Sequence, residues 1–342
     1  MKLALAKIVE GQGLGEAEAF DVMSCIMRGE ATPSQTAGLL IALRMKGESV
    51  DEVSGFARAM RVACRAIHPK VQGRLVDTCS TGGARIKVFN VGTTAAFVAA
   101  AAGVPIAKHG NRGVTRASGS ADILEALGAD LSLQPEQVQA IIERIGIGFL
   151  FAPTFHPAMV HPLAPRREMG VRTVFNILGP LTNPANAKGH VLGVYAEGLM
   201  DPMAEALRRL GVERAMVVHG EGDLDELSTL GPTDIIDLAD GKLSYRRLQA
   251  RDLGLARARP EDVANLPPAL AAQEARAILG GKPGPRADMV ALAASAAAVV
   301  GGKASTLEDG LKLARETMAN GAGLRKLDAF VEATKEAHGP PR

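Results

Sequence analysis

The chain has 342 residues, and its 39 lysines and arginines nearly balance 37 aspartates and glutamates, which gives a formal net charge of +2 at pH 7. Hydrophobic residues make up 47% of the chain and charged residues 22%, a globular composition that excludes disordered, collagen-like and coiled-coil proteins. The near-neutral charge argues against binding of duplex DNA, and the 3% aromatic content argues against stacking on single strands, so we expect no nucleic-acid partner.

Cysteine usage and hydropathy indicate the compartment. Cys25, Cys64 and Cys79 form no CxxC pair and are odd in number, so they predict neither a disulfide framework nor a zinc site. The N-terminal segment lacks the long apolar core of a secretory signal. The most apolar windows, Thr93–Ala107 and Ala287–Gly301, are shorter than the roughly 20 residues of a membrane-spanning helix. We therefore expect a soluble cytoplasmic protein with no membrane partner.

Residues 1–68 predict a small all-helical domain. Apolar residues recur at helical spacing in Glu16–Arg28, Thr32-Pro33 resembles an N-cap followed by a first-turn proline, and Ser49-x-x-Glu52 fits a capping box. We expect residues at about 162–178 to return to this domain.

Residues 69–342 predict a large α/β domain with a mostly parallel sheet flanked by helices, because short strands alternate with helices of about ten residues. The predicted strands are Arg74–Thr78, Val104–Ala107, Ile147–Phe151, Val191–Tyr195 and Ala215–His219. The predicted helices are Thr93–Ala102, Ala121–Leu127, Gln134–Ile145, Asp201–Leu210, Leu270–Ile278, Ala287–Val300 and Leu307–Asn320, with Gly321 as the last stop signal.

Three loops have the composition of phosphate-binding segments. Ser80-Thr81-Gly82-Gly83 allows backbone N–H groups to approach an anion, although a tight turn explains the glycines as well. Asn90–Thr93 opens a helix, where either a phosphate or the Asn90 side chain can satisfy the free N–H groups. Lys108–Arg116 places cations and two glycines after a buried strand, shortly before Ser120, and a solvated loop is the alternative. Together the loops favour a substrate with more than one phosphate group.

Other polar residues suggest a metal and an acceptor site. Asp225-Glu226 suits Mg²⁺, which prefers a few carboxylates plus substrate phosphates, but a solvated acidic turn is the alternative. Arg166 could bind a substrate carboxylate in a bidentate manner, or it could be an exposed arginine on a helix. The segment Phe175–Pro184 fits a pocket wall as well as a rigid hinge, and His156 fits a packed loop residue better than a catalytic base.

Three longer strings are specific. Lys108–Arg112 reads KHGNR, Gly119–Gly128 reads GSADILEALG, and Phe175–Ala185 reads FNILGPLTNPA. In these strings, and over most of its length, the sequence resembles the anthranilate phosphoribosyltransferases. The resemblance implies transfer of the 5-phosphoribosyl group of phosphoribosyl diphosphate to the anthranilate amine, with release of pyrophosphate, in tryptophan biosynthesis. It also implies Mg²⁺ and a homodimer formed through the helical domain.

The resemblance also assigns roles to residues by position. Lys108 is the expected catalytic residue for the departing diphosphate, and Arg166 is the one for the acceptor. The expected phosphoribosyl diphosphate contacts are Ser80, Thr81, Gly82, Gly83, Ala84, Val88, Asn90, Val91, Gly92, Thr93, Lys108, His109, Gly110, Asn111, Arg112, Thr115, Arg116 and Ser120. The expected anthranilate contacts are Ser80, His109, Asn111, His156, Arg166, Gly179 and Pro180. The expected metal positions are Asp225, Glu226 and Gly92.

Departures from the family pattern concentrate in the diphosphate loop. Where the family pattern is GTGGDxxxTFNxST, Ser80 replaces a glycine, Ala84 an aspartate, Val88 a threonine and Gly92 a metal-binding serine. The loss of two oxygen ligands predicts that the metal is held less well.

The altered loop contains two added cations and bears on which function is favoured. Arg85 and Lys87 add positive charge that would compensate for a weaker metal site. The altered loop favours a catalytically weakened or non-catalytic relative, which binds nucleic acid or uses another aromatic acceptor. The retained Asp225-Glu226 pair and KHGNR string favour the transferase instead. A pyrimidine nucleoside phosphorylase is disfavoured, because FNILGPLTNP matches the anthranilate enzymes better.

Overall fold

The computed structural model describes residues 1–113 and 117–337. Thr115 and Arg116, two of the expected phosphoribosyl diphosphate contacts, lie outside these ranges. Within the described ranges, every helix is too short or too polar to cross a membrane.

The chain begins with a helical bundle of α1 (Lys2–Val9), α2 (Glu16–Met27), α3 (Pro33–Lys46) and α4 (Val50–Ala63). The predicted caps are present, because Thr32 Oγ1 accepts from Gln35 N and Ser49 Oγ accepts from Glu52 N, both at 3.2 Å. The Glu52 carboxylate is fully buried and accepts from Leu14 N at 3.0 Å, which ties the start of α4 to the segment before α2. Hydrogen bonds of this kind offset the cost of burying the charge.

The large domain is built on one sheet in the described ranges. Its strands are β1 (Val76–Asp77), β2 (Ile106–Gly110), β3 (Ile147–Phe151), β4 (Gly189–Gly193), β5 (Arg214–Gly220), β6 (Thr233–Ala239) and β7 (Lys242–Leu248). The strand order is β3-β2-β1-β4-β5-β6-β7; β1 to β5 are parallel, and β6 and β7 are antiparallel. The prediction of an α/β fold with a mostly parallel sheet is confirmed.

Helices cover both faces of this sheet. The helices that follow the bundle are α5 (Val91–Ala101), α6 (Ser120–Ala126), α7 (Pro135–Ile145), α8 (Ala152–Phe155), α9 (Val160–Met169), α10 (Phe175–Leu178), α11 (Met200–Arg209), α12 (Pro260–Val263), α13 (Pro268–Leu279), α14 (Pro285–Val300), α15 (Leu307–Ala319) and α16 (Ala322–Ala337).

Three elements differ from the sequence-based expectations. Strand β2 runs on to Gly110, so Lys108 and His109 lie on a strand and not in the predicted loop. The β6–β7 hairpin was not predicted, although Asp240 and Gly241 have the positive φ angles (50° and 73°) of a tight hairpin turn. Helix α16 was not predicted, because the last predicted helix ends at Asn320 with Gly321 as its stop signal.

Two apolar cores lie on opposite sides of the sheet. One contains buried residues of α5, α7, α14, α15 and α16, where the alanine-rich α5 and α14 contact each other directly. The other combines buried residues of the bundle with those of α10, α11, β4, β5 and β6. Helix α9 contacts α2 and α3, and α10 contacts α4, so the segment between β3 and β4 packs on the bundle.

Candidate functional site

The candidate site lies at the carboxyl ends of the central strands. From β1 the chain builds the sheet first towards β2 and β3 and then, in the other direction, towards β4 and β5. The strand order therefore reverses between β1 and β4. In open α/β sheets this reversal leaves a crevice outside the carboxyl ends of the strands, where ligands bind.

The glycine loop after β1 is fastened to the end of β4. Thr81 N–H donates to Gly193 O at 2.8 Å, and Thr81 Oγ1 accepts from Tyr195 N–H at 3.3 Å. Gly82 and Gly83 follow with φ angles of +68° and +82°, in the left-handed region that other residues rarely adopt. The turn thus brings backbone into the crevice, as an anion-binding loop requires.

The altered positions of this loop are packed into the protein. Ala84 has 0% exposure, and Val88 has 1% and forms a β-bridge with Ala264. Lys87 Nζ donates to Ala84 O at 2.5 Å, while Arg85 Nε lies 3.7 Å from Asp223 Oδ2. Both added cations therefore contact groups of the protein itself.

Helix α5 begins beside this loop without a side-chain cap. Asn90 lies at the N-cap position, but its Nδ2 donates to Ser118 O at 3.1 Å and Gly119 O at 3.2 Å. Val91, Gly92 and Thr93 form the first turn. Because Asn90 is turned towards the loop that follows β2, it links two of the three predicted phosphate-binding segments.

Lys108 is buried between β2 and the end of β1. Its Nζ donates to Thr78 O at 2.5 Å and lies 3.3 Å from Thr78 Oγ1. Asp77, fully buried on β1, accepts from His109 N–H at 3.1 Å and from Asn183 Nδ2 at 2.8 Å. Burial raises the Asp77 pKa to about 6, and Lys108 opposes this shift through its positive charge.

His109 and His156 form a pair of buried, neutral imidazoles, with ring centres 5.0 Å apart. Burial lowers the pKa of His109 to about 3 and that of His156 to about 4. His109 Nδ1 lies 3.2 Å from Gly179 O, and since a carbonyl only accepts, Nδ1 carries the proton. His109 Nε2 is then an acceptor, and it is buried without a partner among the described residues.

Arg166 approaches the same region from α9. Its guanidinium carbon lies 4.9 Å from the centre of the Phe175 ring, and burial lowers its pKa. Pro180 is buried in a 3-10 turn, Gly179–Leu181, whose first residue bonds His109. The segment between β3 and β4 thus contacts His109 through Gly179, and the choice between a rigid hinge and a pocket wall stays a prediction.

The loop after β2 directs its polar side chains mainly to its own neighbours. Asn111 Oδ1 accepts from Arg112 N at 2.8 Å, and Ser120 Oγ donates to Asn111 O at 3.3 Å. Arg112 Nη2 donates to Glu125 Oε1 at 2.6 Å, and its guanidinium carbon lies 5.5 Å from the Phe151 ring centre. Gly110 has no room for a side chain, because a Cβ there would lie 2.2 Å from Ser120 Oγ.

The acidic pair fits a hard divalent cation that is shared with a substrate. Asp225 is fully buried, and the half-buried Glu226 reaches the start of α5, since a Cβ built on Gly92 would lie 3.5 Å from Glu226 Oε1. Gly92 itself offers only its carbonyl, which accepts from Thr78 Oγ1 at 3.2 Å. No cluster of three or more metal-binding side chains occurs in the described ranges. A cation held by the pair would take its further ligands from substrate phosphates or water.

Sequence reasoning missed several residues that shape this site. Asp77 and Asn183 fix the end of β2, and Asn183 Nδ2 also donates to Ala107 O at 2.8 Å. Arg172 and Tyr195 stack beside the glycine loop, with 4.3 Å between the guanidinium carbon and the ring centre. The position of Asp77 at a strand end was the one available signal, because the other contacts join distant parts of the chain.

Residues 2–64 match the glycosyl transferase family, helical bundle domain, and residues 72–324 match the glycosyl transferase family, a/b domain. The chain is 47% identical over 334 residues to an anthranilate phosphoribosyltransferase of Acetivibrio thermocellus, covering 98% of this chain and 96% of the relative. It is 48% identical over 334 residues to one of Moorella thermoacetica, with 97% of each chain covered.

Solved structures extend the comparison. The crystal structure of anthranilate phosphoribosyltransferase from Thermus thermophilus superposes with a TM-score of 0.92 at 46% identity, covering 97% of this chain and 99% of that one. The Saccharomyces cerevisiae enzyme in complex with PRPP and Mg superposes with a TM-score of 0.89 at 24% identity, covering 98% of both chains. At that identity the second similarity supports the fold alone.

Proposed function

The chain belongs to the anthranilate phosphoribosyltransferase family, and from this premise we propose that it transfers the 5-phosphoribosyl group of phosphoribosyl diphosphate to the amine of anthranilate. The observation that carries the proposal is that the glycine loop after β1 and the buried Lys108 of β2 lie together at the end of β1, where the strand order reverses. The relatives favour this activity over a nucleic-acid-binding or phosphorylase alternative.

The donor occupies the glycine-loop side of the crevice in this proposal. The turn at Gly82-Gly83 and the uncapped first turn of α5 present backbone N–H groups to phosphate oxygens. Lys108, buried at the end of β2, supplies a positive charge. Asp225 and Glu226 would hold Mg²⁺, which supplies further countercharge to the diphosphate when bound.

The acceptor occupies the opposite side. The Arg166 guanidinium matches a carboxylate in a bidentate geometry, and Asn111 provides a second polar contact. His109, His156, Gly179 and Pro180 line the pocket as neutral groups, which suits an uncharged aromatic ring. With Nδ1 bonded to Gly179 O, His109 Nε2 can accept one N–H of the arylamine.

The reaction then needs positioning and charge stabilisation more than acid–base catalysis. The bond between the anomeric carbon and the diphosphate oxygen breaks with its electron pair going to the leaving pyrophosphate. The arylamine nitrogen forms a bond to that carbon and then loses one proton to solvent water. Negative charge gathers on the leaving pyrophosphate, where Lys108 and the backbone N–H groups stabilise it. Because a neutral arylamine is already a nucleophile, alignment of the two substrates by Arg166 and the glycine loop is the main contribution of the protein.

The assembly and boundaries of the protein are part of the proposal. Domains at 1–68 and 69–342, with about 162–178 returning to the first, are supported by the contacts of α9 and α10 with the bundle. A homodimer through the bundle is supported by exposed apolar side chains on contacting helices, namely Leu3, Met45 and Leu163. A cytoplasmic location is supported by the three free cysteines.

A fluorescence assay tests the activity. Protein is mixed with anthranilate, phosphoribosyl diphosphate and Mg²⁺, and the loss of anthranilate fluorescence is followed against a reaction without the donor. Lys108→Met should lower kcat by about 100-fold, since it removes the buried charge beside the leaving group. Lys188→Met is the control and should match the parent, because the half-buried Lys188 bonds Gly211 O and is not an expected contact of either substrate. Parent protein that consumes no anthranilate would contradict the proposal.

A further inference from the structure

An arginine outside the expected site lies against the glycine turn of the loop after β1. Arg172 belongs to the segment between α9 and α10, and its guanidinium carbon lies 4.3 Å from the Tyr195 ring centre. A Cβ built on Gly83 would lie 1.7 Å from Arg172 Nη2 and 2.1 Å from Nη1. The guanidinium therefore covers the turn at a place that only a glycine leaves open.

The guanidinium stacks on Tyr195, a residue that is itself hydrogen bonded to the loop. Tyr195 N–H donates to Thr81 Oγ1 at 3.3 Å, so the residue that stacks on Arg172 also anchors the turn. Stacking on a ring face leaves the in-plane N–H donors of a guanidinium available for an anion. Among residues 1–113 and 117–337, no carboxylate lies within ion-pairing distance of Arg172.

The other cations of this region are directed elsewhere. Arg85 faces Asp223 and is 75% exposed, and Lys87 donates to Ala84 O. Lys108 donates to Thr78 O from β2, the neighbour of β1 on the side opposite β4. Arg172 is thus the described cation whose charge meets the turn at Gly83.

We propose that Arg172 is a further binding residue for the diphosphate of the donor substrate. The inference rests on the proposed function, because the anion is the diphosphate of phosphoribosyl diphosphate and the released pyrophosphate. The planar guanidinium, with its five donors, binds phosphate oxygens in pairs, and the turn provides backbone N–H groups beside it. Because Arg172 lies in the segment that packs on the bundle, it would also bring that segment to the donor.

Calorimetric titration with inorganic pyrophosphate and with phosphoribosyl diphosphate, at fixed Mg²⁺, tests the inference directly. Arg172→Gln should raise the dissociation constant for both ligands by about 10- to 100-fold, the range for a lost hydrogen bond to a charged group. Arg172→Lys should lose less, because it retains the charge but not the paired donors. The KM for anthranilate at saturating donor should stay at the parent value.

Arg167→Gln is the matched control, since Arg167 is an exposed arginine on α9, five residues away in the sequence. It should bind pyrophosphate as the parent does. Equal pyrophosphate affinities for Arg172→Gln, Arg167→Gln and the parent would overturn the inference. If circular dichroism shows that Arg172→Gln does not fold, Arg172→Lys is compared with the parent instead. If the parent turns over anthranilate and Arg172→Gln binds pyrophosphate as tightly as the parent, this inference alone is refuted. If the parent neither binds pyrophosphate nor turns over anthranilate, the proposed function is refuted too.

Discussion

Asp77 is a buried carboxylate whose hydrogen bonds connect β2 to the segment before β4. It accepts from His109 N–H and Asn183 Nδ2, and Asn183 in turn donates to Ala107 O. A carboxylate accepts at both oxygens, whereas an amide must present an N–H₂ group to one of the two donors. The position therefore requires an acid even though burial raises the pKa of Asp77 to about 6.

Replacing this acid by its amide should destabilise the protein. Asp77→Asn leaves one buried donor facing another, so we expect the free energy of unfolding to fall by about 1–3 kcal/mol. Urea denaturation at pH 7.5 measures the change. Asp240→Asn, in the exposed turn between β6 and β7, is the control. Equal midpoints for the two variants would show that the Asp77 hydrogen bonds contribute nothing.

The start of α5 is an element whose sequence departs from the family pattern, and its geometry suggests how to restore a ligand. A hydroxyl on residue 92 would lie close to Glu226, because a Cβ there is 3.5 Å from Oε1 and 3.3 Å from Thr78 O. Gly92→Ser adds a hard oxygen, which should lower the Mg²⁺ concentration for half-maximal turnover several-fold. Gly92→Ala adds the same Cβ without the oxygen and is the control. An equal effect of both substitutions would contradict a role for the hydroxyl.

The glycine loop offers a second matched pair. Gly82 and Gly83 both have positive φ, but a Cβ on Gly82 meets nothing within 4 Å, whereas one on Gly83 meets Arg172. Gly82→Ala should cost about 1 kcal/mol of stability for the backbone alone, and Gly83→Ala should cost more. When both substitutions are made in an Arg172→Ala background, thermal unfolding should show the same loss of stability for Gly83→Ala as for Gly82→Ala. A larger loss for Gly83→Ala in that background would assign the difference to some contact other than Arg172.

The sequence predicted the five parallel strands because each is a short apolar run between turn residues or helices. It did not predict β7, whose residues Ser244–Arg247 are polar because this edge strand is exposed along most of its length. Asp240-Gly241 is the turn signal of the hairpin. The KHGNR string identified Lys108 and His109 as candidates, and the family resemblance by position identified Arg166. Arg172 could not be found this way, since its contacts with Gly83 and Tyr195 arise only when distant segments fold together.

At the scale of the whole molecule, three buried histidines make stability depend on pH. Burial lowers the pKa of His109 and His190 to about 3 and that of His156 to about 4. The unfolded chain binds these protons near pH 6.5, so each histidine reduces stability by up to about 1.4 kcal/mol per pH unit as the pH falls from 6.5 towards 4. Asp77 acts in the opposite sense, because its raised pKa favours the protonated folded state and costs stability as the pH rises through about 6.

His190 allows this pH dependence to be measured away from the candidate site. Between pH 6.5 and 4 the unfolding free energy of the parent falls as the pH falls. In His190→Gln the slope of this decline should be smaller by about 1.4 kcal/mol per pH unit, the contribution of one proton, as measured by urea denaturation at several pH values. The exposed His68 provides the control variant, His68→Gln, which should keep the parent slope. A parent slope in His190→Gln would contradict the buried, neutral state of this ring.

The core shared by the bundle and the sheet has a consequence for how the chain can be divided. Buried residues of α1 to α4 belong to the same apolar cluster as those of β4, β5 and β6, and Arg61 on α4 donates to Leu181 O at 2.7 Å. Deleting the bundle would therefore uncover one face of the sheet and leave these groups without their neighbours. We expect the large domain expressed alone to aggregate, and we expect the two domains of the intact chain to unfold as one cooperative unit.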